Sequence, residues 1–238
     1  LSTPQVLKES LEQLMTSSRI EEVFLKHIRG SNGLGAYKIG RAQLHTQREM
    51  ERLYSDVKDN SYVFQQVVVQ HPDLSRLNSS ALNTMRIDTF RAPGRQAEII
   101  SAFLRVGGQG NYVDNVSAGG VFVGIHLDSG KLKSTALNFF HGSGKFGTFK
   151  SNPTNGILFD GFQIPLFGKV KETVIGAAEY IPSALVGWDV AVGPLGPVLI
   201  EANVLYYGLI SSDIAYGGYK KIPVYRKVVD YVKLKESF

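Results

Sequence analysis

The sequence predicts an α+β protein of two antiparallel-sheet subdomains with helices, on three observations. Its apolar runs form strands in sequence, not strands alternating with helices, which disfavours a parallel βαβ sheet. The helical patterns are set apart from those strands. The pattern also changes at Ser61, from a small helix–strand–loop–strand–helix unit to a succession of strands. This divides the chain into residues 1–64 and 65–238.

Ser2-Thr3-Pro4 is a helix start, a hydroxyl cap followed by proline in the first turn, and Val6, Leu7, Leu11, Leu14 and Met15 mark one helical face. Glu22 to Ile28 alternates like a strand, followed by a glycine loop and a short strand near Tyr37 to Ile39. Met50, Leu53, Tyr54 and Val57 recur at spacings of three and four and predict a helix near Gln43 to Lys58. Strands are expected near Tyr62 to Gln70, Asn83 to Phe90, Ala97 to Val106, Val121 to Leu127 and Ser134 to Leu137. A helix near Gly168 to Ile181 then precedes a hairpin over Leu185 to Asn203, and the last helix runs near Val224 to Leu234. Asp160 and Asp213 fall to loops.

The 238 residues suffice for a sizeable core, and 43% hydrophobic with 20% charged residues is ordinary for a globular protein. A formal charge of +5 suits a polyanionic ligand such as a nucleotide. No lysine- or arginine-rich tract is present, which argues against nucleic acid. Without cysteine there is neither a disulfide framework nor a zinc–thiolate site. No segment resembles a signal peptide or a membrane span, and a cytoplasmic protein is expected. His27, His45, His71, His126 and His141 show no metal-ligand spacing, and Gly-x-Ser-x-Gly is absent, so zinc and serine hydrolases receive little weight.

The most informative stretch is the hairpin from Gly187 to Asn203, which turns at Gly193 to Pro197. If it is symmetric about Leu195, Asp189 lies across from Glu201. Facing carboxylates repel, and their apolar neighbours Val190, Val192, Leu199 and Ile200 make the repulsion worse. A divalent cation between them would relieve that cost, and Asn203, two residues beyond Glu201, adds a third oxygen from the same face. This hard-oxygen set suits Mg2+ better than zinc. The competing reading is a hairpin with solvent-facing acids.

Lys26 alternates with Phe24 and Ile28, which places its ammonium on the apolar face of the strand, either to snorkel to an edge or, paired with the glycine loop that follows, to clamp phosphate; alone, such a loop is an ordinary structural turn. Gly30, Ser31, Gly33 and Gly35 follow in a loop whose backbone N–H groups can approach phosphate oxygens. The loop joins strand to strand and lacks the Gly-Lys-Ser/Thr ending, so it is neither a P-loop nor a Rossmann fingerprint. Arg86 and Arg105 interrupt apolar strands and offer bidentate donors to phosphate or to a protein carboxylate, with an ion pair at a strand end equally expected. Asp114, Asn115, Gly119 and Gly120 lie in a polar loop that either orients substrate and phosphate or forms a plain Asx turn.

Taken in order, strand lysine, Gly-rich loop, arginine strand, Asn-x-x-x-Gly-Gly, then Asp followed by Glu-x-Asn resemble an ATP-grasp domain. Gln70-His71-Pro72, Leu82-Asn83-Thr84-Met85-Arg86, Val113-Asp114-Asn115, Gly187-Trp188-Asp189 and Gly196 to Asn203 are similar to the sugar-transfer-associated ATP-grasp family. The resemblance implies a nucleotide cleft between two antiparallel sheets. It implies Lys26 on the α/β-phosphates under the Gly30 to Gly35 loop, adenine bound by the backbone of Gln65-Gln66-Val67-Val68, and Asn83 reaching the ribose. It implies Mg2+ on Asp189, Glu201 and Asn203, and Arg105 steadying the phosphoryl group, with Arg86 and Asn115 as further catalytic candidates. The implied reaction is ATP- and Mg2+-dependent carboxylate–amine ligation through an acylphosphate, in surface-polysaccharide or cell-envelope metabolism, on a carboxylate or sugar-linked substrate. The alternatives are a nucleotide-binding regulatory or scaffold module of a glycosyltransferase system and a kinase-like phosphoryl transferase. The acceptor pocket is expected in variable loops such as Leu137 to Phe162. A preceding N-terminal domain or a homo-oligomer is expected to complete the unit.

Overall fold

A computed structural model of the chain describes residues 2–28, 35–108, 120–141, 145–204 and 209–236. Contacts group the chain into two units, Leu1–Val67 and Val68–Phe238.

In the first unit, the Thr3 hydroxyl accepts from the Val6 N–H at 3.2 Å, and Pro4 opens helix α1 (Pro4–Ser17). The helix buries Leu7, Leu11 and Met15, whereas Val6, expected on the same face, is 38% exposed. Strands β1 (Glu22–His27), β2 (Ala36–Gly40) and β3 (Tyr62–Gln66) form an antiparallel sheet in the order β2-β1-β3. Val23 and Leu25 of β1 pack with Leu7, Leu11 and Met15, and with Met50, Leu53 and Val57 of α2 (Gln47–Val57). The expected helix over Gln43 to Lys58 is split. A 3-10 turn at Arg41–His45, tied by the Gln43 side chain to the Gly40 N–H at 2.7 Å, precedes an extended Thr46. β3 stops at Gln66, short of the expected Gln70, because its partner strand β1 begins at Glu22 and has nothing further to pair.

The second unit contains the four-residue helix α3 (Pro72–Ser75) and a seven-stranded antiparallel sheet. Its strands are β4 (Met85–Phe90), β5 (Glu98–Val106), β6 (Val121–Ile125), β7 (Leu132–His141), β8 (Lys145–Phe149), β9 (Leu185–Gly193) and β10 (Gly196–Asn203), in the order β10-β9-β4-β5-β6-β7-β8. Met85, Ile87, Val186, Trp188, Val190 and Val192 point into the main core, which helix α4 (Phe167–Ala178) closes with Val170 and Val174. Period-two alternation sends Arg86, Asp88, Gly187 and Asp189 to the opposite face. Part of that face is covered by α5 (Ile210–Ala215) and α6 (Pro223–Glu236), where Phe90, Ile100, Tyr219 and Val228 make a small second core. Strand β8 and helix α5 were not foreseen, and Asp213, expected in a loop, lies on α5. Among the described residues no helix is long and apolar enough to cross a membrane.

Candidate functional site

The β9–β10 hairpin turns through Pro194 and Leu195, with Gly193 paired to Gly196 and Val190 to Leu199. That register would set Ile200 against Asp189 and turn Glu201 to the core side. A bulge between Leu199 and Glu201 shifts the pairing by one residue, so Glu201 faces Asp189 and Asn203 faces Gly187. The facing acids are therefore present, though produced by a bulge and not by a hairpin symmetric about Leu195.

Strands β4 and β5 extend this pairing into two rows on one face. One row runs Phe103–Arg86–Asp189–Glu201 and the next Ser101–Asp88–Gly187–Asn203. In the first row Asp189 is only 9% exposed. Its Oδ1 accepts from Arg86 Nε at 2.7 Å and lies 3.0 Å from Arg105 Nη2, while Oδ2 accepts from Arg86 Nη2 at 3.3 Å. Arg105 is braced by Thr84, whose Oγ1 accepts from Nε at 2.9 Å and Nη2 at 2.7 Å. The cost of burying Asp189 opposite Glu201, assigned to a cation on sequence grounds, is offset by two guanidinium groups. Arg86 and Arg105 thus turn to a protein carboxylate, the ion-pair alternative open for both. Two arginines and two acids leave the cluster balanced in charge.

Asp189, Glu201 and Asn203 are the hard-oxygen groups that could hold Mg2+ on this face, with both Asp189 oxygens already facing guanidinium groups. Glu201 is exposed on the edge strand, and the Asn203 amide nitrogen donates to the Gly187 carbonyl at 3.2 Å, so its carbonyl oxygen is the atom that could ligate. Among the described residues no group of three or more His, Cys, Asp or Glu could hold a metal, so the set is two carboxylates and an amide. Such a set leaves Mg2+ positions for phosphate and water.

Lys26 pairs with Ala36 and Val63 and shares its face with Phe24, but that face points away from the buried Val23 and Leu25. The alternation was read correctly and its apolar side assigned in reverse: Lys26 is turned away from the helices. Gly35 has φ +70°, and a Cβ there would stand 3.2 Å from the Tyr62 hydroxyl, so the end of the loop requires glycine. Gly30, Ser31 and Gly33 lie outside the described residues, as do Asp114, Asn115 and Gly119. Gly120 is buried, and its carbonyl accepts from Asn138 Nδ2. Gln65 and Gln66 are exposed opposite Phe24 and Val23, and Val68 is half-buried outside regular structure.

Asn83 departs from its expected ribose role. It is 0% exposed, and its Nδ2 donates to the carbonyls of Leu74 and Asn78 at 3.1 and 3.0 Å. Gln70 Oε1 accepts the Asn83 N–H at 2.6 Å, so this pair braces the segment between them instead of presenting an amide to ligand. The residue overlooked in the sequence is Asp88. Its signal was available, because Arg86 and Asp88 are two apart on a strand and share a face.

The chain is similar in structure to D-alanine–D-alanine ligase from Bacillus anthracis, at 12% identity and TM-score 0.48, over 95% of this chain and 59% of that one. D-alanyl-alanine synthetase A from Vibrio cholerae O1 biovar eltor matches at 12% identity and TM-score 0.46, over 86% and 48% of the two chains. D-cycloserine synthetase DcsG matches at 11% identity and TM-score 0.41, over 86% and 56%. The chain spans about half to three-fifths of the length of these proteins. No protein of curated function matches it. The family pattern of the sugar-transfer-associated ATP-grasp proteins matches residues 8–221, a span that contains both sheets and both rows, and the chain belongs to that family.

Proposed function

We propose that this ATP-grasp chain joins a carboxylate to an amine at the expense of ATP, with Mg2+, in surface-polysaccharide or cell-envelope metabolism. The observation that carries the reading is the Arg86–Asp189–Glu201 row with Asn203 beside it, a hard-oxygen and guanidinium cluster on one sheet face of a protein of this family. Asp189, Glu201 and Asn203 would hold Mg2+, which supplies charge screening for the phosphates when bound.

The remaining roles belong to the chain's own groups. Arg105, already oriented by Thr84, directs guanidinium N–H groups toward a phosphoryl oxygen, while Arg86 keeps Asp189 in place. Lys26 and the 30–35 loop bind nucleotide phosphates, and the backbone of residues 65–68 binds adenine. A substrate carboxylate oxygen attacks the terminal phosphorus and ADP leaves; an amine nitrogen then attacks the acyl carbon and phosphate leaves with the bonding pair. Catalysis in this scheme is positioning and charge neutralisation.

Calorimetry with a non-hydrolysable ATP analogue, with and without Mg2+, tests the site. Glu201→Ala should remove most of the magnesium-dependent gain in affinity; an unchanged gain overturns the assignment. ADP release that requires an amine supports ligation. Release with a hydroxyl acceptor alone assigns phosphoryl transfer instead, and binding without turnover leaves a nucleotide-binding module.

A further inference from the structure

Beside the charged row stands a carboxylate that the proposed chemistry does not use. Asp88 is 0% exposed; its Oδ2 accepts from Ser101 Oγ at 2.7 Å, Tyr219 Oη at 2.8 Å and Ser212 Oγ, and its Oδ1 has no hydrogen-bond partner among the described residues. A buried carboxylate with an unsatisfied oxygen is costly, and the neighbouring apolar cluster of Phe90, Ile100, Tyr219 and Val228 would close this region without it. What the carboxylate adds is direction: three hydroxyls must converge on one oxygen, which fixes the segment carrying two of them.

That segment, residues 210–219, is fastened at further points on the same face. The Tyr216 hydroxyl donates to the carbonyls of Ala102 and Ile125 and accepts from the Ala102 N–H at 3.0 Å. Lys133 Nζ donates to the Ala215 carbonyl at 3.1 Å and lies 3.6 Å from the Tyr216 ring centroid. A Cβ at Gly124 would come within 2.9 Å of the Ala215 oxygen, so the close approach requires glycine there. In the second row Asp88 pairs with Gly187 and Gly187 with Asn203, whose amide nitrogen donates to the Gly187 carbonyl at 3.2 Å.

We propose that Asp88 is a positioning residue for Asn203: clasped by three hydroxyls, it fixes strand β4 and, through the Gly187 it pairs with, the carbonyl that orients the Asn203 amide. This rests on the metal reading given above. Metal affinity depends on the groups that orient the ligands, so loss of such a group should act through magnesium and not through nucleotide binding in general.

The test uses the full chain and two near-isosteric variants, Asp88→Asn and Tyr219→Phe, with thermal unfolding as a check that each is folded. The readout is the ratio of ATP-analogue affinities with and without Mg2+. Asp88→Asn should lower that ratio by about tenfold, the low end for an outer-sphere group, while the metal-free affinity stays at the wild-type value. Tyr219→Phe should lower it less, in the same direction, and reads the clasp by itself if Asp88→Asn does not fold. An unchanged ratio in folded variants, or an equal loss under both conditions, overturns the role. A wild-type chain with no magnesium-dependent gain overturns the metal reading itself, and this role with it.

Discussion

Asp189 and Asp88 lie in neighbouring rows of one sheet face, and their carboxylates are satisfied by different chemistry. Asp189 is met by Arg86 and Arg105, whereas the partners of Asp88 among the described residues are the hydroxyls of Ser101, Ser212 and Tyr219. Asp189 keeps some exposure beside the exposed Glu201, and Asp88 keeps none. A charge held by guanidinium groups beside an exposed edge strand can share them with an arriving anionic ligand. A charge held by short hydroxyl contacts under α5 and Tyr219 cannot, and serves to fix the chain around it. One strand, β4, thus carries an exchangeable position at Arg86 and a fixed one at Asp88.

The largest effect expected from breaking this contrast is at Arg86. Removing Arg86 takes away the two-pronged partner of a mostly buried carboxylate and leaves it with Arg105, so Arg86→Ala should cost about 2 kcal/mol in unfolding free energy, measured by urea denaturation. Arg86→Lys should recover part of the loss, because it restores charge without the two-pronged geometry. A midpoint for Arg86→Ala equal to that of the wild type would mean that Asp189 is not held by arginine in solution, and the contrast would fail.

Much of this arrangement was legible in the sequence wherever a local rule governed it. The cap at Thr3, the apolar alternation through Trp188 and Val190, and the turn between Gly193 and Gly196 follow from residues that are neighbours in the chain. What depended on distant residues was not legible. The bulge that brings Glu201 to Asp189 leaves no clear mark in Leu199-Ile200-Glu201, and no pattern near Arg86 or Arg105 says that both will turn to Asp189, which is 103 positions beyond Arg86. Asn83 shows the same limit. The family resemblance implies ribose contact, and no local pattern says that its amide nitrogen will donate to carbonyls of the segment between Gln70 and the strand. The inverted side of Lys26 shows that alternation gives two faces and leaves the choice of the buried one to the helices that cover it.

The hydroxyl side of the contrast can be probed by pH. Burial, then the charge of Asp88, pushes the Tyr219 hydroxyl above its ordinary pKa of 10.0, and burial does the same for Tyr216. The folded chain holds these protons more tightly than the unfolded chain. The associated stability is therefore complete below pH 10 and is lost as pH rises from the unfolded value through the folded one. Between pH 10 and 11 the loss should reach about 1 kcal/mol per tyrosine. Tyr37 is raised as well, chiefly by burial, so Tyr219→Phe removes one of three such contributions, and its stability should fall less steeply over that interval, as read by chemical denaturation at each pH. Equal slopes would place the Tyr219 hydroxyl in water and detach it from Asp88. At pH 7 the same substitution should cost only about 1 kcal/mol, since Asp88 retains Ser101 and Ser212 as donors. That cost is below the loss at Arg86, because it removes one of three neutral donors, whereas Arg86→Ala removes a charged donor that makes two bonds to one carboxylate.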